Sequence, residues 1–245
     1  MQPLAHGYTN HTVGDTTSVV KTYQGPDADL RQARERRCCT QLQGRLPVPE
    51  IRASLPGSLT LAFLPGTHGQ ELIDAGHAAQ VLRACGRLLR TLHDIDIYTD
   101  TDTDITDLED LERGEDPDGR AGRERGGPER TVVVHGDFGP NNILLDPQTF
   151  AVTGLLDWEF AHVGDPVEDL AWCEWIVRAH HSAHHTALAE FFAAYGDGVP
   201  TWTERQAAMI ARCLELREFC HRWDPQGPAV QVWTERAEAV EGWTE

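Results

Sequence analysis

Residues 132–144 read Val132-Val133-Val134-His135-Gly136-Asp137-Phe138-Gly139-Pro140-Asn141-Asn142-Ile143-Leu144, and Leu155-Leu156-Asp157-Trp158-Glu159 follows one apolar run later. The β-branched run predicts a strand that delivers Asp137 into a tight turn rich in Gly and Pro, with a second strand starting after Asn142. Residues 151–156 predict a third strand ending on Asp157. Asp, Gly, Pro and Asn are ordinary turn residues, and a lone His-Gly-Asp would say little. With Asn142 and Asp157 added, two carboxylates and an amide converge at strand ends. Phosphoryl transfer needs that set: one carboxylate to orient a hydroxyl and accept its proton, and an Asn and an Asp to hold Mg²⁺ through oxygen.

These residues resemble the aminoglycoside phosphotransferase and choline kinase family, which shares its core with protein kinases. His135-Gly-Asp137-Phe-Gly-Pro-Asn-Asn142 is similar to the family's catalytic loop. Asp157-Trp158-Glu159 is similar to its metal motif, and Gly164-Asp165-Pro166-Val167-Glu168-Asp169-Leu170-Ala171 resembles its next signature. The resemblance implies an α+β, bilobal protein-kinase-like fold, with a small antiparallel β lobe and a larger, mainly helical lobe. It also implies a MgATP- or MgGTP-dependent enzyme that phosphorylates a hydroxyl of a small molecule. In that reading Asp137 orients the acceptor hydroxyl, Asn142 and Asp157 hold Mg²⁺, and His135 anchors the loop.

The remaining half of such a site should lie upstream. Lys21 is the only lysine among 21 basic residues, and it sits in the β-branched pattern Ser18-Val19-Val20-Lys21-Thr22-Tyr23. Its compact ammonium suits a phosphate pocket. Gly25-Pro26-Asp27 then predicts a helix start, and the helix runs to about Gln43, before Gly44. Its apolar stripe is Leu30, Ala33, Cys38 and Leu42. Glu35, mid-helix, is the partner that the resemblance implies for Lys21. The bland alternative is a solvated Lys21, with Glu35 paired to its Arg neighbours. Gly7-Tyr8-Thr9-Asn10 resembles the family's phosphate-covering segment, which brings Gly7, Thr9 and Asn10 to the nucleotide. Six residues precede Gly7, fewer than the resemblance implies, so the first strand is expected to be short or lost. Leu59–Gly66 reads as a strand entering a turn and resembles the hinge between lobes, where the backbone of Ala62 and Leu64 would face the base. The implied organisation is a nucleotide lobe over 1–58, a hinge over 59–66 and a catalytic lobe over 67–245.

Composition narrows the class further. The formal charge of −18 argues against a nucleic-acid partner and is compatible with a cationic acceptor. No apolar stretch is long enough to span a membrane, and no secretory signal pattern is visible. The six cysteines have neither metal nor disulfide-scaffold spacing, which suits a cytoplasmic location. Residues 100–130 hold twelve acidic residues against five arginines and almost nothing apolar, so a disordered acidic loop is expected over 100–129. A helix is expected from about Gln70 to His93, and three more over 172–185, 187–195 and 203–223. His180, His181, His184 and His185 have helical Zn²⁺ spacing without an interposed acid, and a solvated helix end fits them better. Glu174, Glu218 and Asp224, with Glu159, are candidates to face a cationic acceptor; Glu159 could instead assist a second metal. Two competitors stay open. A protein kinase is opposed by Gly136 and by the short gap between Asp157 and Asp165. A nucleotide-binding pseudokinase is opposed by the retained Lys21, Asp137, Asn142 and Asp157.

Overall fold

The structure is a computed structural model that describes residues 2–3, 10–96 and 131–245. Gly7, Thr9 and the acidic stretch 100–129 lie outside those residues.

The first part is a five-stranded antiparallel sheet in the order β1-β2-β3-β5-β4. Its strands are β1 (Gln2–Pro3), β2 (His11–Gly14), β3 (Ser18–Thr22), β4 (Ile51–Leu55) and β5 (Ser58–Ala62). The Asp15 carboxylate closes the β2–β3 turn by accepting from the backbone N–H of Thr17 and Ser18 at 2.9 and 3.0 Å. That Asx turn sets the register, which places Lys21 opposite Thr12 on one side and Leu59 on the other. Helix α1 (Ala28–Gln41) lies against the sheet. Gln32 fastens it there, donating to the Leu55 and Ser58 carbonyls and accepting from Gly57 N–H at 2.9 Å. The α1 stripe expected from apolar spacing is only half the story. Cys38 and Leu42 are buried, but the first turns bury Arg31, Gln32 and Glu35 instead.

After β5 the chain forms β6 (Thr67–His68), α2 (Gly69–Asp74) and α3 (Ala78–His93). The single helix expected over 70–93 is therefore two, because Gly76 takes φ +93° between them. Then come β7 (Val132–Val134), β8 (Ile143–Leu145), β9 (Val152–Leu155) and β10 (His162–Gly164). β7 pairs with β10, and β6, β8 and β9 form a second small sheet. Helices α4 (Val167–His180), α5 (Leu188–Tyr195), α6 (Trp202–Trp223) and α7 (Pro228–Glu241) complete the chain, with a 3₁₀ segment at Ser182–Ala187 before α5. The arrangement is the expected α+β one, an antiparallel sheet with one helix followed by a mainly helical part. Helix α7 had no counterpart in the sequence reading.

The main core joins α3, the short strands and α4 through Val81, Leu82, Leu89, Val133, Ile143, Leu155, Trp158 and Leu170. At Gly86, α3 runs against the α5 backbone, where an added Cβ would strike the Phe191 carbonyl. A second core, around Trp172, Trp175, Met209 and Val240, packs α4 against α6 and α7. Large side chains of this kind stabilise by about 1.5–3 kcal/mol each when fully buried. The two cores together pack α4 against the Asp137 turn. Among the described residues, no helix is long and apolar enough to cross a membrane.

Candidate active site

The catalytic-loop candidate is built on buried backbone bonds. Asp169, at the start of α4, is fully buried and accepts from the backbone N–H of His135 at 2.7 Å and of Gly136 at 2.9 Å. Burial disfavours its charge, yet the His93 hydrogen bond and the nearby His135 and backbone donors hold its carboxyl below the usual range. Gly136 adopts φ +78°, and a side chain there would meet the Phe160 backbone. His135 Nε2 lies 2.9 Å from the Leu156 carbonyl, and its Nδ1 is 3.2 Å from the Asp137 N–H. One nitrogen must donate and the other accept, which is the neutral tautomer, and burial lowers its pKa accordingly. His135 thus spends both nitrogens on the loop.

Asp137 emerges from this turn partly buried. Trp172 Nε1 of α4 donates to Oδ1 at 2.7 Å, and Asn142 Nδ2 donates to Oδ2 at 2.8 Å. Burial, followed by the charge of Asp157, raises the Asp137 carboxyl to about 6; the Trp172 and Asn142 hydrogen bonds and the Arg212 charge pull the other way. Asn142 Nδ2 also donates to the Asp137 carbonyl at 2.8 Å. Its amide nitrogen is committed, so the amide oxygen is the atom left for a cation.

Asp157 leaves β9 at φ +66°, a left-handed conformation uncommon for any residue but Gly and one that Asp tolerates better than most. Its Oδ1 is 2.6 Å from Lys21 Nζ. Lys21 also donates to Glu35 Oε2 at 2.6 Å and lies 3.5 Å from Glu159 Oε2. Burial disfavours the ammonium, but the carboxylates of Asp157, Glu35 and Glu159 outweigh it and hold the Lys21 pKa well above its ordinary value. Tyr23 donates its hydroxyl to the same Glu35 oxygen at 2.6 Å. The structure therefore brings Lys21, Glu35, Asp157, Asn142 and Asp137 into one continuous polar site at the junction of the β3–α1 face and the β7–β9 hairpins. The donors on offer there are hard oxygens beside a cation, a set that fits Mg²⁺ and phosphate.

Other sequence candidates fall differently. Asn10 is buried and hydrogen-bonded to Glu159 and Arg31. Ala62 and Leu64 lie where β5 leaves the sheet, and Leu64 packs near Gly154 and Leu144. Glu159 is not the exposed carboxylate that an acceptor-facing role needs. It is buried, and Oε2 is held by Arg31 Nη1 at 3.0 Å and by Asn10. Glu174 is also corrected: it is fully buried, with its oxygens taken by Arg178 at 2.8 Å and Arg205 at 2.7 Å. A buried carboxylate needs such partners, and two arginines leave it no free face. Glu218 and Asp224 are exposed toward the end of α6, where Trp223 packs over Gly25 and Arg222 pairs with Asp27 at 2.8 Å. Arg212 of the same helix sits nearer Asp137, its guanidinium 5.9 Å from the Trp172 ring and 4.9 Å from the Phe160 ring.

Sequence reasoning missed Trp172, Tyr23 and Arg31 as site residues. Asp169 stood inside the signature after the metal motif, but its role shows only in the fold. Arg31 precedes Glu35 by one helical turn, a spacing that puts both on one face.

Comparison with known proteins gives the family and the fold. A family model described as "Phosphotransferase enzyme family" matches residues 1–208. The chain is 34% identical over 122 residues to an aminoglycoside 3'-phosphotransferase of Streptomyces ribosidificus, covering 40% of this chain and 46% of that protein. It is 32% identical over 152 residues to the enzyme of that name from Streptomyces fradiae, covering 51% of this chain and 57% of the relative. The chain thus spans about half the length of the curated relatives it matches. The solved GDP complex of wild-type aminoglycoside 2'-phosphotransferase-IIIa superposes with a TM-score of 0.67 at 12% identity, over 98% of this chain and 91% of that one, a likeness of fold. A family model covering most of the chain, on a fold that assembles Lys21, Asp137, Asn142 and Asp157 in one place, makes this protein a member of the phosphotransferase enzyme family.

Proposed function

We propose that this chain transfers the terminal phosphoryl group of ATP or GTP to a hydroxyl of a small molecule. The observation that carries the reading is the Asp137 carboxylate, fixed through both oxygens by Trp172 and Asn142 and raised to about 6. A base with that pKa is ionised at neutral pH and still able to take a proton as the hydroxyl attacks. Lys21, steadied by Glu35 and Tyr23, would exchange Asp157 for the nucleotide's phosphates. Asn142 Oδ1 and Asp157 would hold Mg²⁺, which when bound neutralises charge on the phosphoryl oxygens. The backbone at Ala62 and Leu64 would border the base. The GDP complex of a structural neighbour supports nucleotide use.

A small acceptor is favoured over a protein. The chain runs from Asp157 through the buried Trp158 directly into β10 and α4, so no long activation segment fits between them. The acceptor we expect is an amine-bearing polyol. The two curated relatives are named for aminoglycosides, and the chain's −18 charge favours a cation. With Glu174 committed elsewhere, the carboxylates left for that role are exposed ones such as Glu218 and Asp224. A cytoplasmic location would go with the proposed nucleoside triphosphate substrate.

The test is coupled nucleotide turnover with ATP and with GTP against a panel of hydroxylated amines. Asp137→Asn should lower turnover with any hit by about 10²–10⁴-fold while leaving nucleotide affinity nearly unchanged. Wild-type turnover in Asp137→Asn removes the assignment.

A further inference from the structure

Among the described residues Arg31 is one of the largest fully buried side chains, at 1% exposure, and each nitrogen of its guanidinium donates a hydrogen bond. Nη1 donates to Glu159 Oε2 at 3.0 Å and to Asn10 Oδ1 at 3.2 Å. Nε donates to the Pro26 carbonyl at 3.0 Å, and Nη2 to the Gln24 carbonyl. The plane faces the Phe219 ring of α6 at 5.4 Å. This residue is far too costly to bury for packing alone. Its charged partner, Glu159, lies two residues beyond Asp157 and 3.5 Å from Lys21.

The charges around Lys21 explain why. Glu35, Asp157 and Glu159 place carboxylate oxygens within 4.8 Å of one another. Lys21 alone would face all three, and the nearest two already hold it at 2.6 Å each. Among the described residues Arg31 supplies the second cation, so the cluster of these five side chains carries one net negative charge rather than two. We propose that Arg31 is a positioning residue for phosphoryl transfer: by satisfying Glu159 it leaves Lys21 directed at Glu35 and Asp157, and so available to a nucleotide's phosphates. Glu159 in this reading is a partner of Arg31 and no metal ligand. The proposal rests on the phosphotransferase reading above. Without Arg31, Glu159 competes for Lys21, and anionic phosphates approach an uncompensated carboxylate.

The experiment is calorimetric binding of MgADP to the wild-type chain, Arg31→Met, Glu159→Gln and the double variant, with thermal unfolding of each. Arg31→Met should weaken MgADP binding by about tenfold or more, because a buried carboxylate has lost its cation beside the phosphate site. The double variant restores the cluster to one net negative charge and should recover most of that affinity. Glu159→Gln should keep the Mg²⁺ dependence of ADP binding, which Asp157→Asn should lose. Wild-type affinity in Arg31→Met overturns the proposal, as does a double variant no tighter than Arg31→Met, or loss of Mg²⁺ dependence in Glu159→Gln. If Arg31→Met does not fold, Arg31→Gln replaces it with the same expectations. If neither single variant folds but the double variant does, the same balance is read in stability, and a double variant that also fails to fold overturns it. A wild-type chain that binds no MgADP sinks the phosphotransferase reading itself, a result separate from any difference among the variants.

Discussion

Trp172→Phe isolates what holds the proposed base in its working range. The substitution removes one atom pair that matters, the indole N–H donating to Asp137 Oδ1 at 2.7 Å. Phe keeps much of the apolar contact with Trp175, on which Trp172 stacks with centroids 4.5 Å apart. A hydrogen bond to a charged group contributes about 1.5–3 kcal/mol. Here it favours the ionised carboxylate, so its loss raises the Asp137 pKa, at about 1.4 kcal/mol per unit. The wild-type carboxyl stands at about 6. The acid limb of kcat/KM, which reports the free enzyme, should therefore move from near 6 to about 7–8 in the variant.

The sign follows from the base's role. Below the limb Asp137 is protonated and turnover falls; well above it both enzymes carry an ionised base and their rates converge. The assay is coupled nucleotide turnover at subsaturating acceptor across the pH range, with thermal unfolding of both proteins at each end. The variant should lose about 1–2 kcal/mol of stability from the smaller ring. An acid limb that does not move, in a variant shown to be folded, would falsify the claim that Trp172 sets the protonation of Asp137.

Asp169→Asn should lower stability by about 2–4 kcal/mol at neutral pH, since Asp169 accepts two catalytic-loop N–H groups and faces His93. Its pKa is depressed in the fold, so that contribution is present above the unfolded value near 4 and is lost as pH falls through the folded one; unfolding curves of both proteins should converge in acid. Lys21→Arg should impair nucleotide use strongly with little change in melting temperature relative to Lys21→Ala, because a planar fork cannot occupy the point that an ammonium holds at 2.6 Å from both Glu35 and Asp157; full activity in Lys21→Arg would refute the phosphate role. Replacing residues 100–128 with a short Gly/Ser linker should preserve turnover and melting temperature, as expected of a stretch with so little apolar surface to bury; loss of folding would show that it packs.

The elements that could be read directly are those whose pattern carries its own physics. The β-branched runs at Val19-Val20 and Val132–Val134 form strands where expected. In α3 the apolar residues at helical spacing, Ala78, Val81, Leu82, Cys85, Leu88, Leu89 and Leu92, are all buried. Gly76 was invisible as a break because a glycine between periodic segments is compatible with either a continued helix or a stop. Helix α7 was missed because its spacing is blurred. Only Ala237 and Val240 are buried, and the rest of its face contributes half-buried Trp233 to an aromatic stack with Trp172 and Trp175. The pattern of a helix that covers another helix's edge is weaker than that of one crossing the core.

The site shows a sharper division. The residues proposed to touch the reacting groups sit at strand ends and turns, and their spacing along the chain is short enough to read: Asp137, Asn142 and Asp157 all come from one hairpin region. Residues that hold those groups come from far away in sequence and carry no local signal. Trp172 reaches Asp137 across 35 positions and Arg31 reaches Glu159 across 128. In α1 the error has one cause. A search for an apolar stripe assigns Arg31 to the solvent face, although a helix can bury its charges when partners wait for them; Glu35 was read inward only through the resemblance that pairs it with Lys21, and the 2.6 Å ion pair is there. Glu174 fails in the same way from the opposite direction: its charge suggested an acceptor, but Arg178 and Arg205 consume it inside the fold. A carboxylate's type says what it could bind. Its role depends on which cation reaches it first, and in this protein arginines on three helices hold Glu159 and Glu174, while Asp137 and Asp157 are the carboxylates left for the proposed chemistry.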